Sequence, residues 1–455
     1  MSATRAIVLD IVGLEPEHVD ERRAPNLYRL LSDDTGGTHV AMKPTFPALT
    51  VPSQTTLATG QSPKTHGDVS SGGYDRTSDT VTFWGRERAD RTRLWEAASD
   101  AGLTTGALFF QHLIGSTADI AVTPSPIEDE NNDLIEMNCW TNPEGFYDEL
   151  REQYGHFPLH NYWGPASNEA SSRWILDAAR ETIARYDPDL LWVYLPHLDY
   201  DRLRDGSSSR VEDAIATIDS LVGEFVRDLQ DDERWQQTVV NVVSEYGFHD
   251  VGTPVFPNRV LRESGFQSTV VTDDGGTDVD LESSDAFALV DHQIAHVYAD
   301  ESVLEEVRQL LAGLPGVDEV LDEAGKREHA LDHPNAGDLV LVAEKDAWFQ
   351  YYWWLPTEEP PAYARSVDIH AKPGFDPCEL FLSENGHISL DATRVGGSHG
   401  RVDPETYAVY GLGGPAAPAI DFDSPVDMRH VAPTLAQLLG IEDDLEITFE
   451  VPPLT

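Results

Sequence analysis

Residues 171–201 read SSRWILDAARETIARYDPDLLWVYLPHLDYD. Over 171–187 the apolar side chains recur at helical spacing. Pro188 ends that pattern, because it offers no backbone N–H and clashes with the preceding turn. "LLWVYLP" then follows as an unbroken apolar run, which predicts a strand covered on both faces, as in a parallel sheet. A polar cluster, "HLDYD", closes the stretch. A helix feeding a doubly covered strand is half of a βαβ unit.

The same rhythm recurs on both sides of it. "AIVLDIVGL" (6–14) predicts a buried strand carrying Asp10 at its end. "APNLYRLLSDD" is a helix opened by proline, and "TRLWEAASDAGL" is a helix stopped at Gly102 before the strand "TTGALFF". "SRVEDAIATIDSLVGEFVRDLQ" places Val211, Ile215, Ile218, Val222 and Phe225 on one helical face ahead of the strand "TVVNVVSEYG". Strands alternating with helices predict an α/β fold with a doubly wound, mostly parallel sheet and helices on both faces. The rhythm changes over 255–365. There "AFALVDHQIAHVYA", the helix "SVLEEVRQLLAGL" and the strands "VDEVL" and "DLVLVAE" predict a small α+β insertion. The predicted core is therefore 1–254 with 366–455, which closes on "ETYAVYGLGG" and the helix "MRHVAPTLAQLLGI". No internal repeat and no low-complexity segment interrupts it.

Composition narrows the partners. Eighty acidic against 31 basic residues leave a net charge of −49, spread along the whole length. Such a surface suits high salt, where screening removes self-repulsion. It also argues against binding nucleic acid at the surface, since there is no basic stripe to neutralise phosphates. Cys139 and Cys378 stand far apart, with neither a disulfide framework nor a cysteine zinc spacing. No apolar run approaches the roughly 20 residues of a membrane span, and the first residues lack a signal-peptide pattern. The expectation is a cytoplasmic protein that binds no membrane.

Ligands of open α/β sheets bind beyond the carboxyl ends of the strands. Four polar clusters fall at such ends: Asp10, "PHLDYD", "SEYG" and the loop "GGSHG" (396–400). To these the chain adds "PTFPALTVPSQTTLATGQSPKTHG" (44–67). In order and spacing this set resembles the alkaline phosphatase superfamily, in its type I phosphodiesterase/nucleotide pyrophosphatase branch. The resemblance implies an alkaline-phosphatase-like fold and two divalent metals, usually zinc, beside a Thr or Ser nucleophile. It implies a covalent phospho-enzyme that water then hydrolyses. Matched residue by residue, Asp10 falls on a metal ligand, Thr50 on the metal-bound nucleophile, and His399 on the histidine of the late G-x-H-G loop.

The chain also departs from that pattern. Glu245 and Tyr246 stand where the family has Asp-His; Glu245 remains a metal candidate through oxygen, and Tyr246 becomes a candidate substrate contact. After the middle strand the family has Asp-x-x-x-His. Here Asp199 fits the Asp, but Leu203 replaces the His, while His197 and Asp201 repeat the spacing with the types exchanged. All three stay open as ligands. In "VDIHAKPGFDP" (367–377), Asp368 and His370 would share one face of a strand and offer replacement ligands, and Lys372 would approach a substrate phosphate. Tyr162 and His292 are candidate pocket residues, with His292 and His296 expected on a common strand face. Ser53 and Thr55 read as helix caps, His66 as a brace for the helix after Thr50, and "WFQYYWW" (348–354) as core packing.

These readings converge on a metal-dependent hydrolase of a small-molecule phosphate ester, most simply a phosphodiester or nucleotide pyrophosphate. The cofactor is one or two divalent ions: zinc by resemblance, manganese or magnesium from the oxygen-rich ligand set. A phosphomutase on the same fold, and a non-catalytic member binding a phosphorylated ligand or metal, are the alternatives.

Overall fold

The computed structural model describes residues 5–32, 36–85, 91–129, 134–272, 275–418 and 425–445. Their largest sheet has nine strands, in the spatial order Val426–Asp427, Thr38–Lys43, Ala408–Gly413, Thr238–Val243, Arg5–Ile11, Leu190–Leu195, Thr105–Leu108, Ile120–Pro124 and Cys139–Asn142. From Thr238–Val243 to Ile120–Pro124 every pairing is parallel. Ala408–Gly413 runs antiparallel to both neighbours, and Cys139–Asn142 is an antiparallel edge. The sheet is thus the mostly parallel one expected, with two strands reversed.

Every residue of Arg5–Ile11 and of Leu190–Leu195 is buried, as unbroken apolar runs require. Successive side chains point to opposite faces, and both faces are covered. Trp192 packs edge-on against Trp95 of the helix Leu94–Asp100, with ring centroids 5.7 Å apart. The residue before it, Leu191, lies with Thr182 of the helix Ala170–Tyr186 against Gly106; a Cβ at Gly106 would stand 2.7 Å from Leu191 Cδ1. The predicted stripe of Ser209–Gln230, from Val211 to Phe225, is buried.

The helix Thr50–Thr59 is buried along its whole length. Its hydroxyls therefore need partners inside the protein. Thr55 donates to Asp68 Oδ2 (2.6 Å), Thr59 donates to the Thr55 carbonyl (2.7 Å), and Thr56 Oγ1 meets His66 Nε2 (3.0 Å). The brace expected of His66 is present. Ser53 and Thr55 are not caps, because the helix begins at Thr50 and both lie within it.

A second sheet of four antiparallel strands contains Ala286–Asp291, Ile294–Ala299, Leu339–Ala343 and Val317–Leu321. The first two form a tight hairpin, with His292 in the turn at φ +59°. That turn breaks the two-residue alternation, so His292 and His296 do not share a strand face. His296 is tied instead to the Val69 carbonyl and the Gly337 N–H. The run 348–354 is buried throughout, as core packing requires. Among the described residues no helix is long and apolar enough to cross a membrane.

Candidate active site

The candidate residues gather at the carboxyl ends of the parallel strands. Asp10 lies near the end of Arg5–Ile11, Glu245 and Tyr246 follow Thr238–Val243, and the 197–201 cluster follows Leu190–Leu195. Two loops close over this edge and hold one another: Ala48 N–H donates to the Gly400 carbonyl (3.0 Å), and His399 Nδ1 meets the Ala48 carbonyl (2.8 Å). Ser398 pairs with His249, just beyond Tyr246. The first loop delivers Thr50 as the opening residue of its helix.

Thr50 Oγ1 lies 2.8 Å from Tyr246 Oη, and Tyr246 Oη donates to Asp199 Oδ1 at 3.2 Å. The phenolic proton is spent on the carboxylate, so the threonine hydroxyl is the donor in the first contact. The Tyr246 ring lies flat on the His399 imidazole, with centroids 3.7 Å apart and planes 9° from parallel. One helical turn beyond Thr50, Gln54 donates to Glu245 Oε1 (2.9 Å) and accepts from the Gln111 N–H (2.8 Å). Neither glutamine stands out in the sequence, although Gln54 lies within the 44–67 stretch and its i, i+4 spacing from Thr50 puts it on the face that Thr50 presents.

Asp10 and Glu245 are fully buried and share a side-chain contact with each other; beyond it, neither Asp10 oxygen nor Glu245 Oε2 has a hydrogen-bond partner among the described residues. Burial pushes the Asp10 carboxyl up to about 8. Burial, then the neighbouring Asp10 charge, holds Glu245 well above the usual carboxylate range. Two adjacent carboxylates in a dry site are costly unless a proton or a cation lies with them. Their donor set fits a divalent cation.

Asp199 and His399 form a second pair, with His399 Nε2 4.0 Å from Asp199 Oδ1. Because Nδ1 donates to a carbonyl, the proton sits on Nδ1 and Nε2 presents its lone pair, as a ligating histidine does. His399 Nε2 is buried and has no hydrogen-bond partner among the described residues. Burial and the nearby His292 hold its imidazole well below the usual value, whereas burial raises Asp199 to about 7 against the Tyr246 hydrogen bond and Arg202. Among the described residues, the only trio of His, Cys, Asp or Glu ligand atoms gathered within 4.8 Å is Glu15, Glu17 and His18. Glu15 there is already engaged by Arg202 and the Phe248 N–H, so the trio reads as structure. The active-site donors stand in pairs.

The three acids and bases after the middle strand separate. His197–Asp205 is a helix, so His197 and Asp201 project from one side and Asp199 from another. Asp199 lines the cavity beside Thr50. His197 Nδ1 meets Ser172 Oγ (2.8 Å) while its Nε2 is buried without a partner among the described residues, and Asp201 pairs with Arg204 (3.2 Å); neither lines the cavity that Asp199 lines. Leu203 is packed in the core. Asp368 and His370 do line the cavity, but on a turn rather than a strand: Asp368 Oδ1 accepts from the His370 and Ala371 N–H groups, and His370 Nδ1 meets the Phe83 carbonyl. The shared strand face is thereby lost. Lys372 is also corrected. Its ammonium is buried on Asp376 (2.9 Å), Glu379 (2.6 Å) and the Ser366 carbonyl (3.0 Å), leaving no donor for a phosphate.

Thr50, Asp199, Tyr162 and His292 share one cavity of about 380 Å³ with the rings of Trp84, Phe109, Trp163, Tyr200 and Phe375.

The type I phosphodiesterase/nucleotide pyrophosphatase family profile matches residues 6–376. Ectonucleotide pyrophosphatase/phosphodiesterase 1 of Saccharomyces cerevisiae is 24% identical over 278 residues, 56% of this chain but only 35% of that relative's length. The fold matches murine ectonucleotide pyrophosphatase/phosphodiesterase 5 with a TM-score of 0.62 at 15% identity, covering 99% of this chain and 97% of that one. A further structure of the murine protein is an inactive Thr-to-Ala variant in complex with AMP (TM-score 0.62, 16% identity, 99% and 97% coverage). Phosphonoacetate hydrolase of Sinorhizobium meliloti, bound to phosphonoformate, matches with a TM-score of 0.60 at 15% identity over 96% of each chain.

Proposed function

Because this chain belongs to the type I phosphodiesterase/nucleotide pyrophosphatase family, we propose that it hydrolyses phosphate esters, acting on a phosphodiester or pyrophosphate bond of a small molecule with Thr50 as nucleophile. The observation that carries this reading is the hydroxyl of Thr50, buried at an aromatic cavity and hydrogen-bonded through Tyr246 to Asp199.

In this reading Thr50 Oγ attacks phosphorus, the leaving alcohol or phosphate departs, and water later displaces the phosphoryl group from Thr50. Tyr246 orients the hydroxyl and links its proton to Asp199. Gln54 fixes Glu245, and the Ala48 carbonyl fixes the His399 tautomer. Asp10 with Glu245, and Asp199 with His399, would hold divalent metal, which lowers the pKa of the hydroxyl and offsets phosphate charge. Three of those four side chains offer oxygen, which favours manganese or magnesium over zinc. The 255–365 segment is read as a cap on this site.

The test is a substrate panel at high salt. The protein is stripped with chelator, reloaded separately with manganese, magnesium or zinc, and offered a diester, a monoester, a dinucleoside pyrophosphate and a phosphonate. Cleavage of the diester or the pyrophosphate, lost with chelator and restored better by manganese than by zinc, is the expected result. Rates unchanged by chelator would remove the metal from the mechanism. Failure to cleave any substrate with any metal would leave a binding protein, and transfer of the phosphoryl group within the substrate would identify a mutase.

A further inference from the structure

The site is short of imidazole: Leu203 and Tyr246 occupy both positions where the family pattern has a second and third histidine. A different histidine stands beside the one that remains. The ring of His292 lies 3.8 Å from that of His399, centroid to centroid, and 3.8 Å from Phe375 on its other side. It comes from the hairpin turn between Ala286–Asp291 and Ile294–Ala299, and it lines the same cavity as Thr50 and Asp199.

Its environment is built. Nδ1 lies 2.8 Å from Asp291 Oδ1, and the other Asp291 oxygen accepts from Ser70 Oγ (2.9 Å) and the Ser71 N–H (2.8 Å). Asp291 and His292 are both buried, and His292 Nε2 has no hydrogen-bond partner among the described residues. A carboxylate that accepts the Nδ1–H hydrogen bond holds the proton on Nδ1 and leaves a fixed lone pair on Nε2, which is the usual arrangement behind a ligating imidazole. The backbone at φ +59° is uncommon for a residue other than glycine and is the kind of strain held at functional positions.

Resting on the metal-dependent reading above, we propose that His292 is a nitrogen ligand of the cation on the Asp199–His399 side, supplied by the insertion hairpin in place of Leu203, with Asp291 as its orienting carboxylate. The ligand atoms of Asp199, His292 and His399 do not all lie within 4.8 Å of one another. The coordination spectrum therefore reads whether all three side chains engage one ion.

The test compares metal-free wild type, His292→Asn and Asp291→Asn in titrations with cobalt(II), following heat and the visible ligand-field bands. Asn tolerates the left-handed turn, and Asp291→Asn keeps the imidazole while weakening its support. Expected results are a loss of tenfold or more in cobalt affinity with altered bands for His292→Asn, and a loss between about 10- and 100-fold for Asp291→Asn, in the range seen when a ligand's supporting partner is removed. Wild-type affinity and spectrum in both variants would overturn the assignment while leaving the metal-dependent reading intact. Wild type that binds no cobalt, manganese or zinc would overturn both. Matched thermal unfolding of the metal-free proteins separates ligand loss from misfolding, and Asp291→Asn carries the test if His292→Asn does not fold.

Discussion

A single phenol ties Thr50 to Asp199, and its ring also supports His399. Replacing Tyr246 by Phe keeps the stack and deletes both hydrogen bonds. Turnover should fall about tenfold, the equivalent of one hydrogen bond of about 1.4 kcal/mol, with KM nearly unchanged. Wild-type kcat in that variant would show that the phenol does not orient the nucleophile. At this scale a strand end and two motif loops made Asp10, Thr50 and His399 legible as candidates, and the fold brings those segments to one sheet edge. It left His197, Asp199 and Asp201 open, because the choice depends on where the helix after Pro196 begins. Once His197 is its first residue, two positions turn the side chain by about 200°. His292 was legible as a candidate pocket residue, but on a strand face shared with His296. Its place in the site comes from a turn that alternation does not reveal.

The helix Thr50–Thr59 depends on a neutral histidine. His66 is buried against Thr56, and burial pushes its imidazole down to about 3. The unfolded chain takes up that proton near the ordinary value of about 6.5, so unfolded molecules bind more protons between the two values. The stabilisation from neutral His66 is complete above pH 6.5 and is lost as pH falls towards 3. His66→Asn should therefore be less stable than wild type by about 1 kcal/mol near pH 7.5, with the gap narrowing as pH falls below 6.5, read from thermal unfolding across pH. A gap independent of pH would mean that His66 titrates freely. A second element, the turn over 366–376, rests on Lys372. Removing its charge leaves Asp376 and Glu379 buried together, and Glu379 also holds the Asp368 N–H and Trp163 Nε1 at the cavity wall. Lys372→Met should lose about 3–5 kcal/mol in denaturant unfolding. A loss below about 1 kcal/mol would show that the two acids are held by other means. The pattern "VDIHAKPG" did not reveal this, since a lysine one turn from an aspartate reads equally well as a phosphate ligand.

Across the whole molecule the charge of −49 sets the conditions under which any of this is measured. Self-repulsion weakens a compact state and salt screens it. Melting temperature should therefore rise steadily as KCl goes from about 0.1 to 2 M, a range over which the Debye length falls from roughly 10 Å to below 3 Å. A flat response would show that the surface acids are compensated locally. The mostly parallel sheet was readable from apolar runs separated by helices, because burial on both faces leaves a continuous signal. The antiparallel reversal at Ala408–Gly413 was not, since strand direction depends on how the preceding chain returns to the sheet rather than on local composition. What unites these scales is the assignment of Thr50, delivered by a fully buried helix to the carboxyl edge of that sheet. The most direct measurement is steady-state turnover by Thr50→Ala, fully metal-loaded at high salt, beside wild type of matched melting temperature. A loss of roughly 1,000-fold or more is predicted for a lost nucleophile; turnover within a few-fold of wild type would contradict the account.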